Sequence, residues 1–169
     1  IVPGPPVSFV GTVTNAGAAE MYGLELEGFA RFTDRLSGSL SVGFIDAEYT
    51  EFVVGGVDIS DVRDVQNTPD WTGNAALTYG LPLSLGSSAG TLSFMGSASF
   101  RDDTQQFENP IPLLDQSDYW LYDASISWAT DDGRMRFGVY GRNLSDKRYT
   151  VSGYNFPGAA TDNSVLAFY

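Results

Sequence analysis

Apolar and polar residues alternate along most of this chain. In the segment 119–129, Trp120 and Ile126 share one set of alternate positions, while Asp123 and Ser125 share the other. Because successive side chains of a β-strand point to opposite faces of the sheet, a period of two predicts a strand. The same alternation recurs in five further segments. The predicted strands are 21–33, 38–49, 70–81, 90–101, 119–129 and 135–140, with a seventh, weaker candidate at 7–13.

The predicted strands are long. Several keep their alternation for about ten residues or more, whereas strands of globular proteins usually have about five or six. A tilted strand that crosses a bilayer needs roughly 9–11 residues. Strand length therefore favours a transmembrane β-barrel over a soluble domain.

The connections between these strands alternate in length. Outer-membrane barrels have short periplasmic turns and longer external loops, so their connections differ systematically at the two ends of the strands. A soluble Greek-key sandwich has no reason to show this alternation. The short connections are 33–38, 82–90 and 130–134, and the long ones are 50–69, 105–117 and the irregular segment from 145 onward.

The apolar positions carry aromatic residues near the ends of the predicted strands. Aromatic rings concentrate at both interfaces of a barrel wall, and small polar residues line its interior. We therefore expect Trp120, Ile126 and Trp128 to face lipid, and Asp123 and Ser125 to face water. A soluble β-sandwich with these rings inside stays open as an alternative. The other aromatic residues in this group are Tyr22, Phe32, Trp71 and Tyr79.

The amino-acid composition excludes several kinds of functional site. The 169 residues include no cysteine and no histidine, and their formal net charge is −12. The usual cysteine and histidine zinc sites and the Ser-His-Asp triad are therefore absent. So many carboxylates also argue against nucleic-acid binding, which needs clustered Lys and Arg. Nothing in the sequence indicates an enzyme, a catalytic residue or a cofactor.

Acidic residues are frequent in the segment 57–70. Asp58, Asp61, Asp64 and Asp70 could in principle supply oxygen ligands to calcium, but their spacing is not that of an EF-hand loop. A solvated acidic loop is the simpler interpretation. We expect no metal site.

Three segments resemble sequence elements of TonB-dependent outer-membrane receptors. "NLSDKRY" (Asn143, Leu144, Asp146, Lys147 and Tyr149) is similar to an element near the C-terminus of that family. "NAGAAEMYGLELEG", beginning at Asn15, resembles an earlier strand of the family, and "NTPDWTGNAALTY", beginning at Asn67, resembles the strand that follows it. Their order and spacing fit the family over nearly the whole chain.

The resemblance implies a barrel of about 22 strands whose lumen is filled by an N-terminal plug. It places this chain, residues 1–169, as the C-terminal portion of the barrel, with about seven strands. We expect the plug to be missing, and the final closing strand as well. The implied function is active uptake of a scarce nutrient across the outer membrane of a Gram-negative bacterium, with energy supplied through TonB. The implied partners are outer-membrane lipid, lipopolysaccharide, the TonB complex (through the missing N-terminal part) and a nutrient of the siderophore, cobalamin or oligosaccharide class.

Candidate ligand contacts lie in the external connections. We expect Arg101, Asp102 and Glu108 near one strand end, and Tyr154 and Phe156 as an aromatic platform in the last segment. The motif residues Asn143, Leu144, Asp146 and Tyr149 are interpreted as structural, since Asn and Asp side chains can hydrogen-bond the nearby backbone and turn the chain. A passive porin or autotransporter-like barrel is the second interpretation, and a soluble binding module the third.

Overall fold

The computed structural model describes residues 17–109, 111–157 and 163–169. Nearly all of its regular structure is β-strand, and a single 3-10 turn at Ser60–Val62 is the one helical segment of the described ranges. No helix among the described residues is long and apolar enough to span a membrane. The strands are β1 (Gly17–Arg31), β2 (Leu36–Val54), β3 (Val57–Asp58), β4 (Trp71–Pro82), β5 (Gly90–Arg101), β6 (Tyr119–Thr130), β7 (Arg136–Gly141), β8 (Ser152–Pro157) and β9 (Asn163–Phe168).

The long strands form one antiparallel meander. Their order in the sheet is β1-β2-β4-β5-β6-β7, and β3 pairs with the far end of β2. Strands β8 and β9 form a separate two-stranded hairpin. The sheet of the described residues is open, with β1 and β7 at its edges. The predicted all-β antiparallel fold is confirmed, and the open sheet agrees with a segment of a barrel wall.

The register brings the two predicted faces together across the sheet. One row runs through Leu26, Val42, Gly73, Phe100 and Trp120, and each of its members is apolar or glycine. The adjacent row lies on the opposite face and consists mainly of polar residues. It runs through Glu27, Ser41, Asn74, Ser99 and Leu121, and the Asn74 amide donates a hydrogen bond of 2.8 Å to Ser99 Oγ.

Among the described residues, no second sheet covers the apolar face, and only the β4–β5 connection folds onto it, at the end with the short connections. Ile126 is 45% exposed although its strand β6 has a paired neighbour on either side, and Phe137 of the edge strand β7 is 63% exposed. A soluble sandwich would cover such a face with a second sheet. The sandwich alternative therefore does not describe this part of the chain, whereas a barrel wall leaves these side chains to contact lipid.

Aromatic rings meet in pairs at both ends of the apolar face. At the end with the long connections, the rings of Phe44 and Trp71 lie 4.8 Å apart, and those of Phe100 and Trp120 lie 5.0 Å apart. At the opposite end, the Trp128 ring stacks on a phenylalanine of β7 at 6.4 Å. Two such bands are the arrangement expected where a barrel wall crosses the two membrane interfaces.

The expectation that Trp128 faces lipid is wrong. Trp128 lies on the apolar face, but only 6% of its surface is exposed. The connection between β4 and β5 folds over it, and its indole Nε1 donates a hydrogen bond of 2.8 Å to the carbonyl oxygen of Leu83. Gly90 leaves the space for this contact, since a Cβ there would lie 2.8 Å from the indole ring. Trp128 therefore anchors a turn.

The other differences concern the connections. The loop predicted to start at residue 50 starts later, because β2 continues to Val54 and pairs with β3 across a Gly55–Gly56 turn. The segment from 145 onward was predicted to be irregular, but it includes the β8–β9 hairpin. Both hairpins are short and lack a long alternating pattern. The weak candidate strand at 7–13 lies outside the described residues.

Candidate functional site at the external rim

Three long connections leave the sheet at the same end. We call them loop A (residues 55–70), loop B (residues 102–118, of which the structure describes 102–109 and 111–118) and loop C (residues 142–151). The short connections 32–35, 83–89 and 131–135 lie at the other end. Because barrels of this type have long loops outside the cell, we call the end with loops A, B and C the external rim.

Backbone hydrogen bonds join loop A to loop B. The amide of Asp64 donates to the carbonyl of Glu108 at 3.1 Å, and the amide of Asn67 donates to the carbonyl of Gln105 at 2.9 Å. At the end of β5, Arg101 Nη2 donates to the Asn67 carbonyl at 3.2 Å. The main chains of the two loops are therefore hydrogen-bonded to each other.

Side chains strengthen the same contact. Arg63 Nη1 donates to Asn109 Oδ1 at 2.5 Å, and its guanidinium carbon lies 5.7 Å from the centre of the Phe52 ring. The Gln66 amide donates to Glu108 Oε2 at 2.8 Å. Sequence analysis missed Arg63, Gln66 and Asn109, because their partners lie more than forty positions away and no local pattern marks them.

The predicted motif residues build the turn at the start of loop C. Asn143 and Asp146 have φ angles of 48° and 50°, a left-handed conformation that Asn and Asp tolerate better than most residues. Asn143 Oδ1 accepts a hydrogen bond from the Lys147 amide at 2.9 Å, and its amide group donates to the Lys147 carbonyl at 2.9 Å. The backbone amide of Asn143 donates a hydrogen bond to Asp123 Oδ1 at 2.8 Å. These contacts fix the direction in which the chain leaves β7.

The remaining motif residues lie beside this turn. Leu144 is exposed, and its side chain occupies the space in which a Cβ at Gly141 would lie. The Tyr149 ring stacks on Tyr119 at 4.7 Å with an interplanar angle of 8°. Because Tyr119 pairs with Arg101 in the sheet register, Tyr149 covers the polar face at the external rim.

The structure brings only part of the predicted ligand set together. Arg101, Asp102 and Glu108 lie at the junction of loops A and B, where the amide of Asp102 donates to the carbonyl of Trp71. Tyr154 instead belongs to the separate hairpin, where its ring meets that of Phe168 edge-to-face at 6.0 Å. Phe156 lies in the same strand β8.

Two aspartates of the acidic loop have opposite electrostatic environments. Asp58 accepts hydrogen bonds from the amides of Phe52 (2.9 Å) and Ser60 (3.0 Å), and these bonds lower the pKa of its carboxyl group. At Asp70, partial burial and then the nearby carboxylates of Asp102 and Asp46 raise the pKa. Among the described residues, no three acidic side chains converge in a metal-binding arrangement. Because its carboxylate accepts hydrogen bonds from both of these backbone amides, Asp58 stabilises the turn.

A concavity opens on the polar face below loop A. Its volume is about 650 Å³. Its lining includes Met21 and Glu25 of β1, Gly43 of β2, Thr72 of β4, and Asn67 of loop A at the upper edge. Both apolar and hydrogen-bonding groups are therefore available to a ligand at this position.

Comparison with known proteins identifies the family. The family model described as "TonB dependent receptor-like, beta-barrel" matches residues 1–144. The chain belongs to this family. The TonB-dependent receptor β-barrel predicted from the three motifs is thereby confirmed.

One protein and one solved structure, both from Yersinia pestis, resemble the chain. The pesticin receptor is 28% identical over 145 residues, which are 85% of this chain and 20% of that protein. The crystal structure of the ferric yersiniabactin uptake receptor FyuA superposes with a TM-score of 0.68 at 24% identity, over 88% of this chain and 21% of that one. This superposition supports the fold, and the chain spans about a fifth of the length of these relatives.

Proposed function

We propose that this chain forms part of the wall and external rim of an outer-membrane receptor that imports a scarce nutrient with energy supplied through TonB. The observation that carries the proposal is a single sheet with one uncovered apolar face, one polar face and its long loops at one end. Membership of the TonB-dependent receptor β-barrel family supports the energy coupling. Outer-membrane lipid and lipopolysaccharide would contact the apolar face and the rim, and the coupling to TonB would run through parts of the receptor outside this chain.

The polar face favours a filled lumen over a passive pore. Phe29, Met95 and Tyr140 lie on that face, as their register with Ser39, Thr78 and Ser125 requires. All three are exposed in the described residues. An open channel would leave these large apolar side chains in water, whereas a protein domain inside the barrel would cover them. This observation supports the plugged receptor over the porin-like alternative.

The cargo belongs, in our proposal, to the siderophore class. The support is that one relative is named as a ferric yersiniabactin uptake receptor. The concavity below loop A, with Glu25, Thr72 and Asn67 in its lining, is the first place where we would look for contacts. Arg101, beside Asn67, is a candidate ligand contact at the upper edge.

Other rim residues stay in the proposal with smaller roles. Asp102 and Glu108 lie at the junction of loops A and B and would shape the rim more than they touch cargo, since Glu108 is already engaged by Gln66. Tyr154 would offer aromatic surface on the β8–β9 hairpin, and Phe156 lies in the same strand of it. No catalytic residue, resident metal or cofactor forms part of the proposed function.

An uptake measurement tests the proposal. The full-length receptor would be produced in a Gram-negative strain that lacks siderophore receptors, and cells would be given ferric yersiniabactin labelled with radioactive iron, followed by a panel of other ferric siderophores. We expect accumulation of at least one of them that stops when TonB is deleted. Accumulation that is independent of TonB would support the passive barrel, and no accumulation of any siderophore would contradict the proposed cargo class.

A further inference from the structure

Loop B is more densely packed than an ordinary surface connection. Six side chains are buried within the described residues, and four of them belong to this loop. Leu114 is fully buried, and Thr104 and Gln116 pair through reciprocal backbone hydrogen bonds of 2.8 Å in each direction. The fourth buried residue is Gln106. Mobile loops have few buried contacts and many exposed backbone hydrogen bonds, so this loop is built to hold one shape.

Loop A is fastened to this packed loop by contacts of several kinds. The backbone bonds Asp64–Glu108 and Asn67–Gln105 act in parallel with the side-chain bonds from Arg63 and Gln66. Arg63 also reaches Phe52 in the projecting part of β2, and Glu48 of β2 forms a β-bridge with Asp64. To separate the two loops, the two backbone bonds and the side-chain bonds from Arg63 and Gln66 must all break.

We infer that loops A and B form one preassembled rigid body in the external rim. They move together or not at all when cargo approaches, and Arg63 is the positioning residue that ties loop A, loop B and β2 to one another. A surface that is already ordered loses less conformational entropy on binding. The concavity below loop A therefore has an upper edge of fixed shape, since Asn67 is held by loop B.

Hydrogen exchange measured by mass spectrometry tests this inference on the full-length receptor in detergent micelles. Arg63→Ala removes the bond to Asn109 and the contact with Phe52. We expect amide exchange to speed up several-fold in loop A and also in residues 102–109 of loop B. Asn109→Ala should produce the reciprocal effect in loop A.

The matched control is Arg134→Ala in the short connection 131–135. Arg134 is exposed and pairs with Asp132 at 3.4 Å, far along the strands from the external rim. This variant should leave exchange in both loops unchanged. If the effect of Arg63→Ala stayed within loop A, and that of Asn109→Ala within loop B, the two loops would be independent and the inference would be overturned.

A disulfide test does not depend on the stability of the alanine variants. The 169 residues contain no cysteine, and residues 64 and 108 are already joined by a backbone hydrogen bond. The pair Asp64→Cys and Glu108→Cys should oxidise at a rate within a few-fold of the reference pair Val54→Cys and Val57→Cys, which are register partners in one hairpin. A rate a hundred-fold slower than the reference would show that the loops separate freely. Neither experiment uses cargo or TonB, so its outcome is separate from that of the uptake measurement.

Discussion

At the scale of single residues, the two faces of β6 define what each side chain contacts. Ile126 points to the uncovered apolar face and pairs with Val139 and Phe94 in the neighbouring strands. Ser127 is its neighbour in the chain and lies on the polar face, opposite Gly138 and Ser93. Two adjacent positions in one strand therefore have different environments, and the same substitution should affect the stability of the barrel to different extents.

Arginine at these two positions tests the assignment. We expect Ile126→Arg to lower the free energy of unfolding of the full-length barrel by about 1–2 kcal/mol, because a cation in the hydrocarbon region loses its hydration and Ile126 lies between the bilayer midplane and the inner aromatic band at Trp128. Ser127→Arg serves as the matched control and should change it little, since Gly138 beside it leaves room and the interior is polar. Urea unfolding in lipid vesicles measures both. Equal losses at the two positions would argue against a lipid-facing Ile126.

Asn143 combines a left-handed backbone with two side-chain hydrogen bonds to Lys147. Asn143→Ala removes the bonds and also strains the backbone, whereas Asn143→Gly removes the bonds but accepts the positive φ. We expect the alanine variant to be the less stable of the two, by about 1 kcal/mol. Urea unfolding of the two full-length variants provides the comparison. A glycine variant as unstable as the alanine variant would show that the backbone conformation contributes nothing.

At the scale of elements, the period-two pattern predicted the strands well because it is a local property. The segment 90–101 was predicted as a strand, and β5 spans Gly90–Arg101. A local pattern carries no information about contacts between distant segments. The burial of Trp128 depends on a carbonyl forty-five positions earlier, and the bond from Arg63 to Asn109 spans forty-six. For the same reason, the sequence predicted Arg101 and Glu108 as rim residues but not the loop junction that they share.

The β2–β3 hairpin at the rim was missed although its sequence contains a signal for it. Two glycines between valines favour a two-residue turn with positive φ, and Gly55 and Gly56 have φ angles of 61° and 84°. The search for long alternating segments passed over this short pair. The aspartate that follows the turn, Asp58, then fixes the hairpin through the amides of Phe52 and Ser60.

The hairpin should depend on pH through Asp58. Because the folded state lowers the pKa of Asp58 from its ordinary value of 3.8, the carboxylate stabilises the hairpin above that value. This contribution is lost as the pH falls through the lowered pKa. A spin label at Val57 in the full-length receptor should therefore have low mobility at pH 6, and its mobility should rise as acid takes the pH below the lowered pKa of Asp58.

Asp58→Asn is the control for this titration. The amide cannot ionise, so the mobility of the label at Val57 should be higher than in the parent at pH 6 and should change little with acid. If the parent and the Asp58→Asn receptor responded to pH in the same way, another group would control the hairpin.

At the scale of the whole molecule, the sheet, the loops of the external rim and the family membership all agree with a segment of a receptor barrel. The open meander of the described residues has an apolar side and a polar side, and its long loops lie at one end. Family membership identifies this wall as part of a TonB-dependent receptor barrel. The sequence predicted that architecture from alternation and loop length, while the side-chain contacts at the rim required the fold.

In our interpretation, the apolar face of this sheet contacts lipid and the polar face lines the interior of the barrel. The most direct measurement places single cysteines at positions 120 to 127 of the full-length receptor in a bilayer, attaches a spin label to each, and compares collisions with oxygen and with a water-soluble nickel complex. We expect access to alternate with a period of two, with oxygen access high and nickel access low at the even positions, Trp120 to Ile126, and oxygen access low at the odd positions, Leu121 to Ser127, which face the interior. Equal oxygen access at all eight positions, with no alternation, would show that the two faces have the same surroundings.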